Sequence, residues 1–207
     1  MNPLARILEV INPTVSQEHY QNEEEVLQEF ATSARTAISR RVPSAPLKQV
    51  LTQYPNLVSG RVMHFAKGRG ETDTNAIQEL TEQPVLEYDY TFAPNVELLQ
   101  AKYDTTICIY CLNTLPPVPR HRVWATLSNL CAKDGIVIIA VRSDKDRGIK
   151  GTPIFDGVRV QRLNTFQIGY AADQLRAESE PYFEFAQELS ARGAYRLLAC
   201  SHSPLPL

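Results

Sequence analysis

Three groups of residues in this chain have types and spacing suited to chemistry. The first is Ala66-Lys67-Gly68-Arg69-Gly70, between a strand-like stretch at residues 61–66 and a helical one at residues 74–80. Small residues at such a junction let a ligand approach the backbone. The helix that follows brings free N–H groups and a partial positive charge. Asp89 ends the next strand-like stretch, nineteen residues after Gly70. A carboxylate there accepts hydrogen bonds from both hydroxyls of a ribose. The competing reading is a tight strand–helix turn with a surface aspartate. His64 stands just before the loop. A histidine there is either a ligand group or a buried side chain with a partner.

The second group is Leu112-Asn113-Thr114-Leu115-Pro116-Pro117, at the carboxyl end of an apolar stretch. Asn113 offers an acceptor and a donor that suit an amine or a cofactor. The prolines cannot continue a strand and predict a loop over the pocket. A strand-end turn held by the Asn side chain is the alternative. The third group is Arg142, with Arg159, Arg162, Thr165 and Gln167 beyond it. Fifteen of the 21 basic residues are Arg. Its planar fork suits phosphates and base edges. Arg35, Arg40 and Arg41 join the excursion arginines as candidates for a nucleic-acid surface, against ordinary ion pairing.

No nucleophile–base–acid set is evident, and His19, His64, His121 and His202 show no metal spacing. Cys108 and Cys111 have CxxC spacing within an apolar strand-like run. Along a strand, i and i+3 point to opposite faces. With no second pair nearby, no metal is expected and the thiols read as core.

The elements that must position these groups follow from periodicity. Val26, Phe30, Ala34, Ala37 and Ile38 predict one helix, entered near a Thr14–Gln17 capping box and stopped at Val42-Pro43. A short helix is expected over residues 47–54. Strands are expected at 61–66, 85–90, 103–112 and 135–141, with helices at 74–80 and 121–132 between them. Residues 143–164 read as an excursion with a possible hairpin arm at Val158 and Val160. Residues 172–191 predict a helix interrupted at Glu180-Pro181, before a last strand at 195–200 that could insert antiparallel. Alternating strands and helices predict an α/β fold: a doubly wound, mostly parallel, Rossmann-like sheet. An N-terminal helical extension, residues 1–57, precedes an α/β domain, residues 58–207.

The chain has 207 residues, 43% of them hydrophobic and 21% charged, with a formal net charge of −2. That is enough to bury a core and excludes a protein that coats nucleic acid by bulk charge. The longest apolar run, residues 136–141, is too short to span a membrane. Arg6 and Glu9 interrupt the apolar start, so no secretory signal is expected. Free-thiol usage predicts a cytoplasmic location. Glycine is scarce, nine residues in all, yet Gly60, Gly68 and Gly70 fall close together.

The order of motifs resembles the class I S-adenosylmethionine (SAM)-dependent methyltransferases. More narrowly, it is similar to those associated with DNA phosphorothioation and their phage-type relatives. The stretches that carry the likeness begin with Thr36-Ala37-Ile38-Ser39-Arg40 and Ser44-Ala45-Pro46. The glycine motif follows at Val62-Met63-His64-Phe65-Ala66-Lys67-Gly68-Arg69-Gly70, then Tyr88-Asp89-Tyr90-Thr91-Phe92-Ala93-Pro94. Tyr103-Asp104 through Leu112-Asn113, Arg120, Val141-Arg142 and Thr165-Phe166-Gln167 complete it. His64 stands where the family has an acid, Ala66 replaces its first glycine, and Lys67 follows.

The resemblance implies SAM as cofactor, held by His64, Ala66, Lys67, Gly68, Gly70, Asp89, Tyr90 and Asn113. It implies in-line methyl transfer governed by positioning. Asn113 would orient the acceptor, and Arg142 or Gln167 would hold it. DNA, RNA or a nucleotide is the implied acceptor, and the N-terminal helix could dock a protein partner. The alternative is a degenerate methyltransferase fold serving as a binding or regulatory subunit. A nicotinamide enzyme is disfavoured, because the loop lacks the third glycine of GxGxxG.

Overall fold

A computed structural model of the chain describes residues 23–207. The expected Thr14 cap lies outside them. Helix α1 (Glu23–Ser33) continues as a 3-10 turn (Ala34–Thr36), and α2 spans Ala45–Gln53. Then come β1 (Val62–Phe65), α3 (Thr72–Thr81), β2 (Leu86–Tyr88) and β3 (Tyr103–Ile109). Helix α4 (Pro117–Leu130) leads directly into β4 (Cys131–Arg142). The excursion forms β5 (Thr152–Ile154), β6 (Gly157–Val160) and β7 (Thr165–Gln167). The chain closes with α5 (Gln174–Ser179), β8 (Phe185–Leu189) and β9 (Tyr195–Ser201).

The main sheet has the order β2-β1-β3-β4-β9-β8. Strands β1 to β4 pair parallel, whereas β9 pairs antiparallel with both β4 and β8. The expected doubly wound sheet is present, with the last strand reversed. Strands β5, β6 and β7 form a separate antiparallel sheet, which is the hairpin arm with one strand added.

Side chains alternate between two cores. Val137, Ile139 and Val141 of β4 pack with Val26 and Phe30 of α1 and Trp124 and Leu127 of α4. Ile136, Ile138 and Ala140 pack on the other face with Leu47 and Val50 of α2 and Ile77 of α3. Burying both faces explains why β3 and β4 read as continuous apolar runs. Each of Val26 and Phe30 gains about 1.5–3 kcal/mol from burial, which docks α1 on the sheet domain.

Four expectations are corrected. The first helix ends at Ser33, not near Val42. Ala37 is extended, and Ile38, expected inward, is 59% exposed. Thr36 Oγ1 donates to the Ser33 carbonyl, so the turn tightens before the chain leaves the helix. Pro116 and Pro117 make no loop over a pocket. They start α4, where the missing N–H costs nothing and φ is already helical. The region at 172–191 holds one short helix, then strand β8. Pro181 stops the helix, and the free edge of β9 recruits the residues beyond it. Finally, Cys111 lies past the end of β3, after Tyr110 at φ 60°, so the strand rule of opposite faces does not apply. The two thiols share a hydrogen bond that, with burial, pushes the Cys108 thiol up. Among the described residues no cluster that could hold a metal is found.

Candidate functional site

A cavity lies outside the carboxyl ends of β1, β2 and β3, where an open α/β sheet offers a crevice. It is lined by His64 in β1 and Ala66 after it, Asp89 and Tyr90 after β2, and Tyr110 and Cys111 after β3. Gly68 has φ +72°, a conformation that favours glycine. Its N–H donates to Asp89 Oδ2 at 2.9 Å. Asp89 Oδ1 accepts the N–H groups of Thr91 at 2.8 Å and Phe92 at 3.0 Å. The loop after β1 and the turn after β2 are therefore joined through one carboxylate. A carboxylate oxygen accepts two hydrogen bonds, so Oδ2 keeps capacity for a ligand hydroxyl.

His64 is buried beside this loop. The Thr74 hydroxyl donates to Glu87, so it must accept from His64 Nδ1–H at 2.8 Å. Burial, only partly offset by Asp73, lowers the His64 pKa to about 4. The ring is neutral at pH 7, which with Nδ1 protonated leaves Nε2 as the acceptor nitrogen. Lys67 points its ammonium at Glu71 and Glu87 rather than standing as an open cation. Burial opposes its charge, but the hydrogen bonds to the two glutamates outweigh it and hold the pKa above the ordinary value.

The remaining wall comes from the N-terminal segment. Phe30 stacks on Tyr90 with ring centres 4.0 Å apart. Ser33 Oγ meets Thr114 Oγ1 at 2.6 Å. Beyond the 3-10 turn, the chain crosses the glycine loop as a strap. A Cβ placed on Gly68 would meet Ala37 at 3.7 Å, and one on Gly70 would meet the Ser39 and Arg40 backbone at 3.7 Å. Thr72 Oγ1 donates to the Arg40 carbonyl at 2.6 Å, tying the strap to the start of α3. Under this strap the cavity holds about 120 Å³. That is below the range of roughly 300–1,000 Å³ usual for ligand sites.

His64, Ala66, Lys67, Gly68, Asp89 and Tyr90 of the expected cofactor set all line the cavity. Gly70 lines a recess beside it. Asn113, Arg142 and Gln167 are brought together, but behind the cavity lining. Asn113 is 1% exposed, and its Oδ1 accepts the Arg142 backbone N–H at 3.2 Å. Arg142 donates to Gln167 Oε1 at 3.0 Å and to Asp146 at 2.7 Å. These contacts join β4, β7 and the turn after β3. Among the described residues, Asn113 Nδ2 is buried without a partner. Arg120 is also internal, paired with Asp156 and Glu178.

Sequence reasoning missed Phe30, Asp73 and Tyr110 as wall residues. Arg40 was visible only as part of a motif and as one of several surface cations. No local pattern marks these positions, because a strap is defined by what it crosses.

The sheet, its reversed strand and the crevice at the strand ends define a class I SAM-dependent methyltransferase fold. PigF in complex with SAH shares it, at TM-score 0.57 and 13% identity, over 96% of this chain and 68% of PigF. Human N-acetylserotonin methyltransferase in complex with SAM matches at TM-score 0.54 and 14% identity, over 95% of this chain and 62% of its own. The DhpI complex with SAM and HEP matches at TM-score 0.51 and 13% identity, over 86% and 94%. No family model and no curated protein matches the chain.

Proposed function

We propose that the chain binds SAM in the cavity over β1, β2 and β3 and transfers its methyl group. One observation carries the reading: Asp89, at the end of β2, lines the cavity while holding the Gly68 turn, and one of its oxygens keeps a free lone pair. The donor set fits the cofactor. Asp89 would accept a ribose hydroxyl, neutral His64 Nε2 would accept from the ammonium, and Tyr90 would flank the base. When bound, SAM supplies a methyl group activated by a sulfonium. The chain's own task is to orient that group and exclude water.

The acceptor of the sequence reading is a nucleic acid or nucleotide. What supports it is the order of motifs, together with two exposed cations, Arg41 and Arg69, the latter over the Phe92 ring. Arg159, in the excursion, instead pairs with Glu29 at 2.9 Å. Human N-acetylserotonin methyltransferase, named for a small-molecule acceptor, shares the fold, so a small acceptor stands beside the nucleic-acid one.

A second reading, a non-catalytic binding subunit of the same fold, is favoured by the strap. It narrows the cavity to about 120 Å³. Calorimetric titration with SAM and SAH separates the readings. Micromolar binding that is lost in Asp89→Ala supports the enzyme. No binding at millimolar cofactor overturns it.

A further inference from the structure

We propose that Arg40 is an anion-binding group of the cavity, taking a carboxylate or phosphate presented between the strap and the end of β3. The proposal rests on the reading of the cavity as a SAM site and adds a polarity to it.

The charged groups in the cavity wall differ in how far they are already paired. Lys67 is paired with Glu71 and Glu87. Asp73 Oδ1 accepts the Ser44 backbone N–H at 2.7 Å. Asp89 accepts three backbone N–H groups. Arg40 differs from all three. Its backbone is anchored by Thr72. Its guanidinium sits over the Tyr110 ring, 5.7 Å from the centroid. Among the described residues it has no carboxylate and no hydrogen-bond acceptor. A guanidinium over a ring face spends no hydrogen bond there, and its N–H fork matches the two oxygens of a carboxylate or phosphate. Asp89 and Asp73 line the same cavity as Arg40, so a ligand with separated charges finds both signs in place. Two sources of the anion share this chemistry: the amino-acid end of the cofactor and an acidic group on the methyl acceptor.

Two probes distinguish them. SAH and 5′-methylthioadenosine share the adenosine and the sulfur, but only SAH carries the amino-acid carboxylate. Both are titrated by calorimetry into the wild-type chain, Arg40→Ala and Arg40→Lys, after equal melting temperatures confirm that the variants are folded. A loss of about tenfold to a hundredfold in SAH affinity in Arg40→Ala, with Arg40→Lys between and methylthioadenosine unchanged, assigns the anion to the cofactor. If SAH is unaffected, inorganic phosphate is titrated into the SAH-saturated protein. Binding by the wild type and not by Arg40→Ala assigns the anion to the acceptor. Equal loss of both nucleosides, or no response of any probe to Arg40→Ala, overturns the proposal. If the wild type binds neither nucleoside, the cofactor reading fails by itself. Phosphate titrated into the free protein then decides Arg40 by the same comparison.

Discussion

Asp89 Oδ2 accepts the Gly68 N–H at 2.9 Å, so the acid that ends β2 fixes the turn that follows β1. This contact joins the two strand ends on which the proposed cofactor lies, and it makes one residue both a ligand group and a structural support. Asp89→Asn keeps the shape but turns an amide N–H towards at least one of the three backbone donors. The expected cost is about 1–3 kcal/mol in chemical denaturation, together with weaker SAH binding. Unchanged stability would show that the three amides find water instead.

The two loop glycines should respond differently to alanine. Gly68 has φ +72°, so Gly68→Ala should lose about 1–2 kcal/mol from left-handed strain, although the nearest atom to the new Cβ is 3.7 Å away. Gly70 has no positive φ and similar room, so Gly70→Ala should fall within about 0.5 kcal/mol of wild type. Parallel urea titrations measure both. Equal losses would refute backbone strain as the reason for glycine at 68.

Stability should fall with acid because of two histidines. Burial lowers both His64 and His121 from 6.5 to about 4, with Arg120 also opposing the charge on His121. Between those values the unfolded chain takes up protons that the folded chain refuses. Unfolding free energy therefore rises with pH from about 4 to 6.5, by about 1 kcal/mol per pH unit for each histidine, and levels off above. Denaturation curves at pH 5 and 7 test this. His121→Gln should narrow the difference between them; an unaltered difference would remove His121 from the account.

Arg120 joins α4 to the excursion through Asp156 and to α5 through Glu178. Glu178 also accepts from Trp124 Nε1 at 3.2 Å and from the Tyr170 hydroxyl at 3.0 Å. Arg120→Met strands buried negative charge and should cost about 3–5 kcal/mol. The double variant Arg120→Met with Glu178→Gln should recover part of that loss. Differential scanning calorimetry reads both, and a single variant as stable as wild type would mean that the network is replaced by water.

Much of the frame was legible because buried parallel strands carry an unmistakable pattern. Residues 136–141 are apolar on both faces since each face meets helices, and the glycine loop stands where a strand hands over to a helix. Less legible were positions whose state depends on a distant partner. Residues 185–189 read as helix by local pattern, but the edge of β9 makes them a strand. Asn113 and Arg142 read as reactive because they stand at strand ends. In the fold Asn113 Oδ1 accepts the Arg142 backbone N–H, and the Arg142 guanidinium donates to Gln167 and Asp146.

By itself the sequence determined the alternation of strands and helices, the loop at Gly68 and the acid at Asp89, because these depend on local periodicity and on residues with special backbone freedom. Only the tertiary structure decided what surrounds them. It turned Lys67 towards two glutamates, tied His64 through Thr74 to Glu87, and laid residues 37–40 across the loop. Those outcomes depend on pairings between residues far apart in the chain. Such a pairing is settled by which partner burial leaves within reach, and no spacing in the sequence records that.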